Sequence, residues 1–206
     1  MIGPLERGVY LASRSPRRRE LLAQIGVRFH LLLFRSRPGE QADVDEVSMP
    51  HEAPDAYVMR LARDKAEAGW KRMLQRNLPH APVLAADTTV AFDGRIYEKP
   101  LDRTDAARML GELSGRTHEV LTAVCLKHDD WTESALSRSE VRFKTLSARE
   151  IEQYVASGEG DDKAGAYAIQ GRAARFVVEL RGSYSGVMGL PLFETGELLD
   201  KLALRR

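Results

Sequence analysis

The sequence predicts an α/β protein in which a mixed, twisted sheet is flanked by helices. Segments with helical spacing of apolar residues are interspersed with short strand-like runs, and the hairpin signal Asp93-Gly94 makes two of the strands antiparallel. The chain has 206 residues, of which 43% are hydrophobic and 30% charged, enough to bury a substantial core. Because no repeat, low-complexity tract or linker divides it, we expect a single domain over residues 1–206.

The first elements are a short strand and the helix that follows it. Residues 9–13, VYLAS, form an apolar run that is typical of a buried strand. Ser15 suits a helix N-cap and Pro16 the first helical position, where the N–H that proline lacks would have no intrahelical acceptor. Gly26 marks the end of the helix. The apolar face of this helix consists of Leu21, Leu22 and Ile25.

A long polar segment leads to a second helix. Residues 30–53 contain Pro, Gly, Asp and Glu and predict an extended loop. Residues 54–75 predict a helix with one apolar stripe. That stripe consists of Val58, Leu61, Ala62, Lys65, Gly69 and Met73. Lys65 has two interpretations: its stem covers core surface while its ammonium reaches water, or its charge serves a site.

The remaining elements follow from the same signals. In order they are a central strand at 82–92, the hairpin turn, a returning segment at 95–100, a helix at about 104–113, strands at 117–127 and 135–145, a helix that ends near residue 157, a glycine-containing loop at 158–175, the buried strand FVVEL, and a helix at about 192–203. Ser147 and Glu150 form a capping box at the start of the helix that ends near residue 157.

Composition argues against several classes of protein. Lys and Arg number 31 and Asp and Glu 30, and this net charge of +1 argues against a general nucleic-acid binder. No apolar run approaches the roughly 18 residues of a membrane helix, and the first residues lack a secretory pattern, so we expect a cytoplasmic protein without a membrane partner. The single Cys125 excludes an internal disulfide and is predicted to be a core residue. The five histidines show no metal-ligand spacing.

A cluster of arginines stands at the start of the first helix. It consists of Arg14, Arg17, Arg18 and Arg19. Such a cluster is compatible with a nucleic-acid patch, a targeting signal, a solvated helix face or a phosphate-binding corner. The balanced charge of the chain argues against the first. A helix N-terminus favours anions, and guanidinium groups there add bidentate donors.

Asp87 interrupts the apolar run at 83–86 in the central strand. A buried carboxylate needs a cation, a metal or hydrogen-bond donors nearby, although Asp87 would also serve simply as a cap at the strand end. The hairpin returns Glu98-Lys99-Pro100 beside residues 87–92, so Lys99 is predicted to approach Asp87. Most lysines in such a tripeptide are solvated, and the predicted approach to Asp87 is the only reason to consider Lys99 a site residue.

Glu46 lies in the acidic stretch DVDE of the long loop. Acidic loops usually serve only solubility. The alternative is an oxygen ligand for Mg²⁺, which needs few protein carboxylates and completes its coordination with water and substrate phosphates.

Two stretches rich in small residues, 163–171 (KAGAYAIQG) and 181–191 (RGSYSGVMGLP), predict either ordinary loops or ligand-binding ones. Glycines let backbone N–H groups approach a ligand, and Gln170 offers a donor and an acceptor to a base edge. The second stretch ends at a helix start, where anions bind. The chain has no Walker A, GxGxxG, GxSxG or zinc pattern, which removes most common nucleotide-binding and hydrolase families.

Six motifs in order carry a resemblance to a known family: LASRSPRRRELL, YVMRLARDKA, AADTTV, YEKP, DKAGAYAIQG and GSYSGVMGLPL. Together they resemble the Maf family of nucleoside triphosphate pyrophosphatases over about residues 9–200. KAGAYAIQG resembles the branch that acts on dTTP and UTP, whereas the branch acting on 7-methyl-GTP differs there. The resemblance implies hydrolysis to a monophosphate and pyrophosphate with a divalent cation, Mg²⁺ or Mn²⁺. It also implies a homodimer and a two-lobed fold with a central cleft, shared with inosine triphosphate pyrophosphatases.

The resemblance also implies a role for each matching residue. Asp87 matches the general base that activates water, and with Glu46 it matches the metal site. Lys65 and Lys99 match lysines that line the cleft. The phosphate-facing positions are Ser13, Ser15 and Arg18, and the specificity positions are Arg17, Thr88 and Gln170. One departure is the segment between Phe29 and Glu46, which is longer than is usual in the family.

The sequence thus favours a metal-dependent dTTP/UTP pyrophosphatase that attacks the α-phosphorus and removes non-canonical or excess pyrimidine nucleotides. One alternative is a regulatory binding protein in cell division and septum formation that has no turnover. Another is an enzyme on the same fold that acts on 7-methyl-GTP or another purine nucleotide.

Overall fold

The computed structural model describes Leu5, residues 8–33 and residues 44–205. Its strands are β1 (Val9–Leu11), β2 (Phe29–Leu31), β3 (Val83–Phe92), β4 (Arg95–Tyr97), β5 (Thr117–His128), β6 (Trp131–Phe143) and β7 (Val177–Arg181). Its α-helices are α1 (Pro16–Gln24), α2 (Pro54–Gln75), α3 (Arg103–Leu113), α4 (Ala148–Ala156), α5 (Tyr184–Met188) and α6 (Leu192–Ala203). The predicted α/β class with a mixed sheet is confirmed.

The seven described strands form one sheet in the order β2-β1-β3-β5-β6-β7, and β4 pairs with β3. β1 is parallel to both β2 and β3. In chain order, α1 lies between β1 and β2, and α2 lies between β2 and β3. The other pairs, including β3 with β5 and β5 with β6, are antiparallel. Both kinds of pairing therefore meet at β3.

Helices cover both faces of this sheet. The apolar stripe of α2 packs on one face, and Leu21 and Leu22 of α1 pack with α6 on the other. A third cluster joins α3 and α4 to the far ends of β3 and β5. Cys125 lies in the α2 cluster, where burial raises the pKa of its thiol to about 12, so its predicted core position is confirmed.

One edge of β3 is interrupted in its middle. β1 pairs with β3 as far as Leu84, and β4 pairs with it only from Val90 onward. Within the described residues, positions 86–89 have β5 on one edge and no strand on the other. We call this stretch the notch. It exists because β1 ends at Leu11 and the chain then turns out of the sheet into α1.

Several elements are predicted correctly from local features of the sequence. The bounds predicted for α2 and α6 coincide with those observed. Ser15 caps α1 through a hydrogen bond from the N–H of Arg18, and Ser147 and Glu150 form the predicted capping box of α4. The turn after β3 has positive φ at both central residues, 50° at Asp93 and 73° at Gly94, as a two-residue hairpin requires.

Other predictions need correction. Residues 29–31 form the edge strand β2, whereas the sequence predicts that a loop starts at residue 30. The central part of that predicted loop, residues 34–43, lies outside the described residues. Ile25 is 39% exposed and does not join the buried face of α1, because it is the C-cap residue beyond the last turn. The short helix α5 was also not predicted. No helix in the described part of the chain has the length and apolar character needed to cross a membrane.

Candidate active site

The notch brings together side chains from both faces of the sheet. Successive residues of a strand point to opposite faces, so Asp87 faces α2 while Thr88 faces α1. Asp87 is buried, with 8% of its surface exposed, and Thr88 is partly buried. Since none of the described strands covers this edge, groups on the two faces can reach the same space.

The ammonium of Lys65 pairs with two carboxylates. Its Nζ lies 2.6 Å from Asp87 Oδ1 and 2.6 Å from Glu46 Oε1. The side chain is only 14% exposed, so its ammonium is not simply in water. The position of Lys65 in the apolar stripe of α2 turns this charge toward β3, where it compensates the carboxylate of Asp87.

Lys99 has a different partner from the one predicted. Its Nζ lies 3.6 Å from Glu46 Oε2, and no ion pair joins it to Asp87 among the described side chains. The β3–β4 ladder ends at Tyr97, so Lys99 has already left the strand and does not continue alongside β3. The prediction that Lys99 approaches Asp87 is therefore wrong at the level of direct contact. The two are linked through Glu46 and Lys65.

Glu46 lies between the two lysines. Burial acts to raise the pKa of its carboxyl, but Lys65 and Lys99 outweigh burial and lower the pKa below its usual value. Glu46 is thus held as a carboxylate at the mouth of the notch, with about half of its side chain exposed.

The arginines of α1 contact the chain just after α5. Nε of Arg17 donates to the backbone O of Met188 at 3.1 Å, and Nε of Arg18 donates to Gly189 O at 2.7 Å. Arg18 also donates to Ser13 Oγ at 3.4 Å and to Thr88 Oγ1 at 3.3 Å. Arg18 therefore connects the start of α1 to the notch.

Ser13 and Ser15 shape the turn between β1 and α1. The N–H of Ser15 donates to Ser13 Oγ at 3.2 Å, and Ser15 Oγ accepts the N–H of Arg18 at 3.5 Å. Ser13 is buried beside the arginine. The structure thus brings Ser13, Ser15, Arg18 and Thr88 together.

Burial lowers the pKa of both guanidinium groups. For Arg18, Asp87 partly opposes this effect and Arg17 adds to it, while for Arg17, Asp162 and Glu20 oppose it. A guanidinium remains charged in such surroundings. Because water screens these charges less than it screens surface ones, they attract an anion more strongly.

Gln170 makes no hydrogen bond to the other predicted site residues in the described part of the chain, and it is exposed in the loop after β6 and α4. Two nearby glycines favour the first of the two alternatives for this stretch, an ordinary loop. Gly165 has φ of 67° and donates its N–H to Glu98 O, and a Cβ on it would lie 2.9 Å from Val90. Gly171 donates to Ala168 O. These two N–H groups therefore hold the loop and are not available to a ligand.

Sequence reasoning missed two buried hydroxyl groups. Tyr57 Oη of α2 lies 2.9 Å from the backbone O of Glu46 and 3.2 Å from Glu98 Oε1. Thr122 of β5 lies directly opposite Thr88 and hydrogen-bonds with it. The signal for Thr122 is the one Asp87 offers, a polar residue inside an apolar run, here EVLTAVCL.

The donor set fits a divalent cation that is bound together with phosphate. In the described ranges, no three His, Cys, Asp or Glu side chains are grouped to hold a metal. However, Glu46 Oε1 and Asp87 Oδ1 both lie 2.6 Å from Lys65 Nζ, so they are at most twice that distance apart. Mg²⁺ typically uses one or two protein carboxylates and takes other ligands from water and substrate.

Comparison with known proteins identifies the family. Residues 8–202 match the family described as Maf-like protein. The chain belongs to the Maf family. It is 60% identical over 198 residues to a protein of Aromatoleum aromaticum, covering 96% of both chains. It is 55% identical over 204 residues to one of Nitrosomonas europaea, covering 99% of both. It is 56% identical over 197 residues to one of Dechloromonas aromatica, covering 96% of this chain and 98% of the relative.

Each of these three Maf relatives is named dTTP/UTP pyrophosphatase. The resemblance inferred from the six motifs is thereby confirmed. The Maf match includes every predicted site residue, from Ser13 to Gln170.

Proposed function

We propose that this Maf-family chain hydrolyses dTTP and UTP to the monophosphate and pyrophosphate. The observation that carries the proposal is the pairing of Asp87 with Lys65 in the notch, directly beside the arginines of α1. A carboxylate and a basic corner at one site suit the attack of water on a phosphate anhydride. The names of relatives that are 55–60% identical over nearly the full chain support the choice of substrate.

Binding of the triphosphate is assigned to the start of α1. Its first turn offers backbone N–H groups and the positive end of the helix dipole. Arg17 and Arg18 each use Nε on a backbone carbonyl, and their Nη groups are the donors we assign to phosphate oxygens. Ser13 and Ser15 fix this turn.

Asp87 is assigned the role of general base. Its Oδ1 accepts a hydrogen bond from Lys65, which fixes the orientation of the carboxylate, and we assign Oδ2 to the attacking water. That water attacks the α-phosphorus, its proton passes to Asp87, and pyrophosphate leaves. Lys65 and Lys99 counter the negative charge that gathers around the α-phosphorus and the leaving group.

Glu46 and Asp87 are the residues that would hold Mg²⁺ or Mn²⁺ together with the substrate phosphates. When bound, the cation would neutralise phosphate charge and polarise the anhydride. Lys65 keeps the two carboxylates close to each other without the cation.

A panel of nucleotides assayed for pyrophosphate release tests this function. With Mg²⁺ or Mn²⁺, the purified protein should release pyrophosphate from dTTP and UTP faster than from ATP, GTP or CTP. No release from any nucleotide would contradict the enzymatic function. A preference for 7-methyl-GTP would contradict only the choice of pyrimidines. Control of pyrimidine nucleotide pools, a cytoplasmic location and a homodimer stay predictions.

A further inference from the structure

We propose that Thr122, on β5, is a positioning residue that holds Arg18 in its phosphate-binding orientation through a closed ring of hydrogen bonds. The inference rests on the proposed function, because it concerns the binding of the same triphosphate. It adds a residue that contacts no substrate but acts through Thr88 and through the chain that follows α5.

The ring has five members from four segments of the chain. Arg18 Nη2 donates to Thr88 Oγ1 at 3.3 Å, and Thr88 Oγ1 lies 3.1 Å from Thr122 Oγ1. Thr122 Oγ1 donates to Gly186 O at 2.7 Å. The N–H of Gly189 then donates to Gly186 O at 2.9 Å, and Gly189 O accepts from Arg18 Nε at 2.7 Å. The ring thus returns to the guanidinium from which it starts.

The hydroxyl of Thr122 gives its single proton mainly to one of its two oxygen neighbours. Thr122 has two oxygen neighbours but only one proton. Its contact with Gly186 O is the shorter, and two oxygens at 2.7 Å without a proton between them would repel each other, so Thr122 donates to Gly186. Thr88 Oγ1 is the second oxygen beside the Thr122 hydroxyl, and it accepts from Arg18.

These contacts fix the arginine. Thr88 Oγ1 lies within hydrogen-bond distance of both Thr122 Oγ1 and Arg18 Nη2, and it accepts from the guanidinium. Arg18 is held from both ends, by Thr88 at Nη2 and by Gly189 at Nε. Ser13 accepts from Nη1, so described residues engage three of the five N–H groups of the Arg18 guanidinium. The other two remain for phosphate.

Thr122 can be probed without a change of volume. It is 1% exposed and lies opposite Thr88 in the antiparallel register, so valine would fill the same space. Thr122→Val removes the hydroxyl beside Thr88 and one of the two donors to Gly186 O, the other being the N–H of Gly189. Thr88 Oγ1 and the backbone after α5 then lose contacts that hold them in place against Arg18. We therefore expect a misaligned guanidinium in a chain that still folds.

Thr195→Val is the matched control. Thr195 of α6 is 0% exposed, and its Oγ1 donates to the backbone O of Pro191 at 2.7 Å, the same length as the bond from Thr122 to Gly186. The two variants thus lose the same kind of buried bond to a carbonyl. Thr122→Ser retains the hydroxyl and tests whether the oxygen is responsible.

The experiment measures binding of inorganic pyrophosphate, KM and kcat for dTTP, and thermal unfolding for the wild type and the three variants. We expect Thr122→Val to bind pyrophosphate about tenfold more weakly and to raise KM about tenfold, with a smaller effect on kcat. Thr122→Ser should restore at least half of this loss on a logarithmic scale. Thr195→Val should lower the unfolding temperature about as much as Thr122→Val does. Its pyrophosphate binding and its KM should stay within a factor of two of the wild type.

Three results would overturn the inference: unchanged pyrophosphate binding in Thr122→Val, an equal loss in Thr195→Val, or no recovery in Thr122→Ser. The failure of the proposed function is a separate result, since it is the absence of nucleotide hydrolysis by the wild type. In that case the pyrophosphate-binding series still decides whether Thr122 positions Arg18.

Discussion

Lys65 Nζ lies 2.6 Å from Asp87 Oδ1, so a lysine on the apolar stripe of α2 compensates the carboxylate in the middle of β3. Each residue is anomalous in its own sequence pattern, a charge among apolar neighbours. Packing of α2 on the sheet brings the two anomalies together. The same ammonium also contacts Glu46, which ties the long loop to the site.

Asp87→Asn should separate catalysis from binding. The change keeps the shape of the side chain and an acceptor for Lys65 but removes the basic carboxylate. We expect kcat to fall about 10²–10⁴-fold, while equilibrium binding of dTTP is retained. Asp93→Asn, the same change in the exposed hairpin turn, is the control. If Asp87→Asn left turnover intact, Asp87 would not be the base. A protein with a binding function in which Asp87 has no part would not be affected by the change.

The arginines of α1 should differ in importance. Arg18 makes three hydrogen bonds inside the site and Arg17 contacts Met188, whereas Arg19 makes none of the site contacts. We expect Arg18→Gln to lower kcat/KM about 100-fold and Arg17→Gln about tenfold or more, because charge-assisted bonds to phosphate are lost. Arg19→Gln should remain within a factor of two. Equal losses at the three positions in a steady-state assay would contradict the assignment.

The acid limb of the pH–rate profile should depend on Lys99. Burial tends to raise the pKa of Glu46, but the two lysines together lower it, so Glu46 stays ionised to a lower pH than usual. Lys99→Met should raise this pKa and move the acid limb of kcat/KM upward, on the order of a few tenths of a pH unit because Glu46 is half exposed.

The matched control for Lys99 is Lys71→Met. Lys71 is 67% exposed and paired with Glu67, and Lys99 is 62% exposed. Profiles are compared after normalisation to their own maxima, so that a loss of rate does not mask the shift. An acid limb that coincides with the wild type in Lys99→Met would show that Glu46 does not govern it.

Tyr57→Phe should reduce activity more than it reduces the stability of the fold. The Tyr57 hydroxyl is the group on α2 that reaches both the backbone of Glu46 and the side chain of Glu98. We expect kcat/KM to fall about tenfold and the free energy of unfolding by about 1 kcal/mol. Tyr97→Phe is the control, since Tyr97 is equally buried, at 5%, and also bonds a glutamate, Glu112. Similar losses of activity in both variants would contradict a specific role of Tyr57.

Features that depend on neighbouring residues were predictable from the sequence. The Ser15 cap, the Ser147 capping box and the turn at Asp93 each follow from residues within a few positions of one another. The long helix α2 follows from its periodicity. Asp87 and Lys65 stand out at the notch because each is a charge among apolar residues, whereas Ser13, Ser15 and Thr88 were predicted only from the family resemblance.

Features that depend on where a pairing ends were not predictable. The partner of Lys99 is set by the end of the β3–β4 ladder at Tyr97, and sequence shows the turn but not the length of the ladder. Gly165 faces Val90 and donates its N–H to Glu98 O because of how its loop packs. Thr122 gains its importance from its register opposite Thr88, which arises only when β5 pairs with β3.

Stability should fall in acid because of His118. This ring is 2% exposed, its Nε2 lies 2.9 Å from Tyr167 Oη, and its Nδ1 has no hydrogen-bond partner among the described residues. Burial lowers its pKa to about 4 from 6.5, so the folded state keeps the ring neutral. Between these values the unfolded chain binds a proton that the folded chain does not.

The contribution of the neutral His118 ring to the free energy of unfolding is therefore fully present above about pH 6.5. It declines as the pH falls toward 4, by about 3 kcal/mol in all. His118→Gln cannot be protonated and should flatten that decline in the free energy of unfolding, measured by urea titration at pH 7 and pH 4.5. His80→Gln, on a ring that is 62% exposed, should leave the slope as in the wild type. An equally steep loss in His118→Gln would mean that other groups cause the acid sensitivity.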